Sequence, residues 1–431
     1  MAAGVRHFVA ATAVLAALAY VALFGGVDAP NHFSSDGFSY YVYLPSAGIY
    51  HDLTLEKLAF DWYGGTFPDP AGVRRWPSTD RLFDLHSIGT ALLMAPFFVA
   101  ADLVTRWSNL PRDGFSLYYQ HGIGIGAIVY LLLGLALIRR MLRQSFSDGV
   151  VLATLIGITW GTNLFHYAVF DDAFSHIYAF FAITAWIWAV ERWWTSPAPR
   201  RTLALGVVAG LVVLIRPTNA IYLLVLPLYG VTNRDSARAR VRELVERWRP
   251  LVAAAAIGAA VMLPQFAIYK WTTGQIFVDP YTSYLMGFQF GSPHIFGVLF
   301  STQKGLFFWS PLLLLSAAGV FVAAGVARSL LVPAVVVFAL QTLLTAAWSQ
   351  WQFGASFGHR AFTDGFALAA PFLASSFAWA SRHRRALPLV AVLSTAAVLL
   401  SVAQMVQYWI GVLPMADTTW AQYRDVFLRF R

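Results

Sequence analysis

Apolar runs recur along the whole chain, broken by short polar stretches rich in arginine. Runs near 20 residues suit membrane-crossing helices. The pattern predicts spans at 7–27, 116–138, 150–169, 174–191, 202–215, 219–230, 251–270, 307–326, 330–347, 365–381 and 387–409. The expected fold is therefore an all-α polytopic membrane protein of about eleven transmembrane helices in one integral membrane domain, 1–431. A large first loop, 28–115, follows the first span, and a short tail, 410–431, closes the chain. One Arg precedes the first run, which exceeds the 7–15 residues of a cleaved leader. An uncleaved first span is expected, with its N-terminus cytoplasmic.

Two segments break the pattern. Residues 86–104 are membrane-loving, but their uninterrupted run, 88–101, is short and holds Pro96. Runs of about 10–14 suit interfacial or re-entrant segments. The segment is expected to lie flat on, or dip into, the outer leaflet. In 203–230, about 13 apolar residues precede Arg216-Pro217-Thr218-Asn219 and about 11 follow. Pro217 lacks an N–H and restrains its neighbours. Two short helices in a hairpin are expected, with the turn buried where it lines a cavity or packs on protein.

Composition agrees with this. The chain is 58% hydrophobic and 12% charged, against about 45–50% and about 25% in soluble domains. Its 34 Phe, 16 Trp and 18 Tyr can furnish aromatic belts. There is no Cys, which excludes disulfides and thiolate metal sites. The net charge of +9 comes from Arg clusters at 139–143, 192–201, 234–249, 328 and 382–385. The predicted spans put all of them on one side, the cytoplasmic side by the positive-inside rule. The basic charge then faces anionic lipid, and nucleic acid is not an expected partner.

The acids concentrate on the other side. Asp36 opens the large loop in "SSDGFSYYVYLPS", and in a helix Tyr40 and Tyr43 share its face at i+4 and i+7. A carboxylate among aromatics at a low-dielectric boundary is expected to have a raised pKa, which suits a general base. Alternatively, Ser34 or Ser35 caps this helix and Asp36 complements its dipole. Asp52, Glu56, Asp61, Asp69, Asp80 and Asp84 are rival acids in the loop.

Asp171 and Asp172 form a turn near His166 and His176. They could hold a divalent cation, bind substrate, or be a solvated turn. Arg216 falls at membrane depth, where an ionisable group suggests function. It could pair with a phosphate or snorkel to headgroups. Lys304 and Arg360 are two of the few cations in the later outer loops. Around Arg360 stand Trp348, Trp351, Phe353, His359 and Asp364, either to hold a sugar or as an ordinary aromatic belt.

A first span followed by a large loop opening with an Asp, together with "HSIGTALLMAPFF", "LIRPTN", "STQKGLFFWSP" and "FGASFGHRAF", resembles the GT-C superfamily of polytopic glycosyltransferases. Protein O-mannosyltransferases and the bacterial transferase that adds aminoarabinose to lipid A belong to it. The resemblance covers most of the chain as architecture. It implies a polyprenyl-phosphate sugar donor, a glycan, lipid or protein acceptor, and a bacterial inner membrane with the site facing outside. It implies Asp36 as catalytic base in an inverting displacement. Arg216, Lys304 and Arg360 would then bind the donor phosphate. Tyr40, Tyr43, Asp171, Asp172, Trp351 and His359 would bind acceptor or sugar. No cofactor is required by this reading beyond the divalent cation already raised. The rival functions are a transporter or flippase of lipid-linked glycans, or their polymerase. One broken hairpin without a counterpart in a second half argues against the transporter.

Overall fold

The computed structural model describes residues 3–25, 33, 35–63, 72–281 and 286–431. Ser34 and Asp69, named above, lie outside the described residues, as does part of the loop 28–115. The protein is mostly helical, and the one small sheet among the described residues is an antiparallel pair, β1 (Val73–Arg75) and β2 (Leu82–Asp84).

Among the described residues, six helices are long and apolar enough to cross a membrane: His7–Phe24, Leu117–Leu142, Trp248–Thr273, Val326–Ala347, Arg360–Arg382 and Ala386–Trp409. They coincide with six of the expected spans. The other five differ in form, so the count of eleven is not recovered by length and composition. Residues 150–169 divide into Asp148–Trp160 and Leu164–Val169. Residues 307–326 divide into several short turns of helix. Ser175–Thr195 has the length, but Glu191 and Arg192 interrupt its apolar run. The remaining two, 202–215 and 219–230, make the expected hairpin.

That hairpin positions the site. Pro199–Ile215 ends at Arg216, whose backbone is extended, and a 3-10 helix, Pro217–Leu224, follows. Trp193 Nε1 donates to Thr202 Oγ1 at 3.0 Å, near the start of the first arm. Trp186 Nε1 donates to Tyr222 O at 2.8 Å, and Trp194 Nε1 to Leu226 O at 3.0 Å. The return arm therefore runs beside Ser175–Thr195 from its middle to its last turn. A 3-10 helix rises about 2.0 Å per residue against about 1.5 Å in an α-helix, so a short segment covers the distance. The first arm packs on Trp248–Thr273 through small residues. A Cβ on Gly206 would meet Ala254 O at 2.5 Å, and one on Gly210 would meet Gly258 O at 2.6 Å. This is the small-xxx-small packing by which membrane helices approach closely.

Gly89–Thr105 does not lie flat across the bundle. It runs lengthwise and antiparallel against the first half of Leu117–Leu142. Tyr130 donates to Leu93 O at 2.8 Å, Phe97 covers Gly126, and Ala101 meets Gly122. Its far end is pinned by Asp102, which accepts from Arg106, Arg112 and Tyr119. The glycines of the neighbouring helix create the groove that draws it upright.

The arginine clusters gather at one end, as expected. Arg240 lies 3.6 Å over the Trp194 ring, Arg140 lies 5.6 Å over Trp188, and Val326 N donates to Ser145 beside the 139–143 cluster. The opposite end carries the β-hairpin and the C-terminal tail. Arg81 donates to Trp271 O at 2.5 Å, docking the hairpin on the end of Trp248–Thr273. Gln404 and Gln407 hold the tail through Tyr423 and Val426.

Candidate active site

The end opposite the arginine clusters brings together two guanidiniums, two carboxylates and two imidazoles. Asp36 begins a helix, Asp36–Tyr41, that continues almost unbroken through Tyr43–Gly48. Ser35 precedes it at positive φ and makes no side-chain cap, so of the two proposed caps the described one does not act. Asp36 Oδ2 forms an ion pair with Arg360 Nη2 at 2.9 Å. Asp36 keeps 27% of its side chain exposed and Arg360 12%, so the pair is partly open to solvent. The Arg360 guanidinium lies 5.3 Å from the Phe174 ring and 5.5 Å from the Phe353 ring.

Arg360 and Asp364 sit on one 3-10 turn, Arg360–Gly365. Asp364 Oδ1 accepts from His176 Nδ1 at 2.7 Å, and its Oδ2 lies 3.5 Å from Arg216 Nη1. Arg216 is thus paired at depth by a buried carboxylate, and 19% of its side chain is still exposed. The turn after Ile215 places it there, at the first turn of Ser175–Thr195.

Behind Asp36 stands a cluster the sequence did not reveal. His86 Nδ1 and Ser39 Oγ are 2.8 Å apart, and Asp84 Oδ1 accepts from both Ser39 Oγ and the His86 backbone N–H. The Tyr40 ring lies 4.3 Å from the His86 ring, and the Tyr43 hydroxyl donates to His86 O at 3.0 Å. The expected shared face of Asp36, Tyr40 and Tyr43 is therefore real, and it closes on His86. Asp84 Oδ2 is buried without a hydrogen bond.

The electrostatics depart from expectation. Burial pushes the Asp36 carboxyl up, but Arg360, with His86, His176 and Arg216, outweighs it and holds the group below its ordinary value. The low dielectric strengthens the cations as much as it penalises the charge. Asp84 lacks such cations, and burial takes it well above the carboxylate range despite its bonds from Ser39 and His86. Burial lowers His86 to about 4, against the pull of Asp36. Tyr281, which nothing in the sequence singled out, lies within electrostatic reach of Asp36, Arg216 and Arg360.

The other expected site residues have their own partners around this cluster. Lys304 is buried with its ammonium donating to Ser356 O and to Met415 O, the latter at 2.8 Å. Burial, with Arg360 nearby, lowers it to about 7. It straps the loop before Arg360 to the C-terminal tail. Trp351 stacks on His294 at 5.4 Å, and His359 packs edge-on against Phe362 and Phe353. Asp171 Oδ2 accepts from His166 Nε2 at 2.9 Å. The Trp409 indole donates to His166 Nδ1 at 2.9 Å, which fixes the proton on Nε2 because an indole N–H only donates. Asp172 is buried near Tyr20 and Tyr178. Among the described residues no group of three or more His, Asp or Glu could hold a metal ion.

No family model and no curated protein matches the sequence. Among solved structures, the archaeal oligosaccharyltransferase AglB from Archaeoglobus fulgidus, in complex with an inhibitory peptide and a dolichol-phosphate, superposes with a TM-score of 0.48 at 12% identity. The alignment covers 98% of this chain and 57% of that one, so the chain spans little more than half of its neighbour's length.

Proposed function

We propose that the protein is a membrane glycosyltransferase that moves a sugar from a polyprenyl-phosphate donor to an acceptor hydroxyl by single inverting displacement. The observation that carries this is a solvent-reachable carboxylate flanked by Arg360 and Arg216 at one end of an apolar helix bundle. Asp36 takes the acceptor's proton as that oxygen attacks the anomeric carbon. The bond from that carbon to the phosphate oxygen breaks, and its electrons stay on the phosphate. Two guanidiniums in a water-poor site stabilise the anion as it develops. Asp36 Oδ1 makes no hydrogen bond among the described residues, and it is the oxygen free to take the proton. Tyr40 and Tyr281 line the approach for sugar or acceptor, which is a glycan, lipid or protein.

In this reading the arginine-rich end is cytoplasmic and the site opens on the far side, in an inner membrane of bacterial type. Lys304 serves it by fixing the Arg360 loop.

The test is release of polyprenyl phosphate from a radiolabelled polyprenyl-phosphate sugar by the purified chain. Asp36→Asn is expected to lower the rate at least about 100-fold, the ordinary share of a general base. Equal rates for wild type and variant would end this mechanism. Movement of intact donor across a bilayer, without bond cleavage, would identify a flippase instead.

A further inference from the structure

The two ion pairs of the site are built differently. Arg216 is backed by Asp364, which is buried and fixed through its other oxygen by His176. Among the described residues Arg360 has a single carboxylate partner, Asp36, which is partly exposed, and its guanidinium otherwise meets aromatic faces. Two guanidiniums and two carboxylates nearly cancel, so an arriving anion gains little while both pairs stay closed. The Arg360 pair is the one that can open.

We propose that a phosphodiester entering the site takes Arg360 away from Asp36, so that donor binding and the baring of the carboxylate are a single event. This rests on the glycosyltransferase reading and adds regulation to it. A guanidinium matches two phosphate oxygens as a bidentate partner, and Arg216 already faces the same space. Once Arg360 turns, Asp36 loses its nearest cation and gains a neighbouring anion. Both changes raise its affinity for a proton. The base is held in check in the empty site and armed by the donor. By linkage, whatever neutralises Asp36 strengthens anion binding by the same factor.

The groups facing Asp36 are Arg360 and His86, with His176 and Arg216, and Tyr40 and Tyr281 feel its charge in turn. Both histidines gain charge as pH falls and favour anions in any variant. The informative quantity is therefore a ratio of affinities between variant and wild type.

The probe is a short-chain dialkyl phosphodiester, singly charged across the pH range, titrated into the full chain in lipid nanodiscs. At pH 7.5, Asp36→Asn is expected to bind it about tenfold more tightly than wild type, equivalent to one pKa unit of coupling. That ratio shrinks toward one as pH falls and wild-type Asp36 protonates. In an Arg360→Gln background the same substitution gives a smaller gain, only that from removing the repulsion between carboxylate and phosphate, because there is no arginine to release. Asp36→Ser supplies a second uncharged variant should Asp36→Asn fail to fold. A ratio of one or less at pH 7.5 overturns the exchange, and so does a gain that is undiminished without Arg360. Wild type that binds no phosphodiester sinks the anion site of the functional reading as well. Wild type that binds with an unchanged ratio sinks this inference alone.

Discussion

Two acids of the first loop, Asp36 and Asp84, meet opposite fates, and their neighbours decide it together with the deeper burial of Asp84. Asp36 has Arg360 at 2.9 Å. Asp84 has a hydroxyl and a backbone N–H, and one oxygen with nothing. Its raised pKa has a consequence for stability. A group whose folded pKa lies above its unfolded value of about 3.9 contributes stability below that pH. The contribution is lost as pH rises toward the folded value. Asp84→Asn keeps an acceptor for Ser39 and the His86 N–H but does not titrate. Relative to wild type it should gain stability between pH 5 and pH 8, at up to about 1.4 kcal/mol per pH unit of that window. Thermal unfolding at the two pH values checks this, and a difference that does not change with pH would refute it.

Among the elements, the hairpin around Arg216 depends on close approach. Its first arm lies against Trp248–Thr273 where Gly210 faces the Gly258 backbone. A side chain there meets backbone, which cannot step aside. Gly210→Leu should separate the two helices at a cost of about 1–3 kcal/mol or more. It should also weaken phosphodiester binding, although Gly210 touches none of the charged groups. Unchanged melting and binding would show that the arms are held by something other than this contact. The turn itself was legible from Arg216 and Pro217, since a charge and a missing N–H in an apolar run admit few solutions. For Gly89–Thr105 the sequence left two placements, flat or dipping, and could not choose, because its orientation depends on Gly122 and Gly126 of a different helix. Apolar length says that a segment avoids water, and it does not say which neighbour it finds.

For the molecule as a whole, the separation of the arginine clusters from the site gives an orientation that can be tested. The chain has no native Cys, so single replacements report cleanly. Ser78 is exposed on the β-hairpin near the site, and Arg238 is exposed among the arginines at the other end. Ser78→Cys should react with an impermeant reagent on intact cells, and Arg238→Cys only after permeabilisation. Labelling of both from one side would break the proposed placement in the membrane.

By itself, the sequence determined the membrane class, the end at which arginines collect, and the helix face shared by Asp36, Tyr40 and Tyr43. These follow from local quantities: hydropathy, charge and the period of a helix. It also picked out Asp36, Arg216 and Arg360, because a charge in apolar surroundings stands out in one dimension. Only the tertiary structure decided how they pair. Arg360 and Asp36 are hundreds of positions apart, and Arg216 finds Asp364 and His176 from two further segments. The sign of the Asp36 shift was fixed there too, since burial alone argued for the wrong direction. Lys304 likewise reads as a free cation until Ser356 and Met415 are seen around it. Coulomb interactions fall with distance in space, and a sequence carries distance only along the chain.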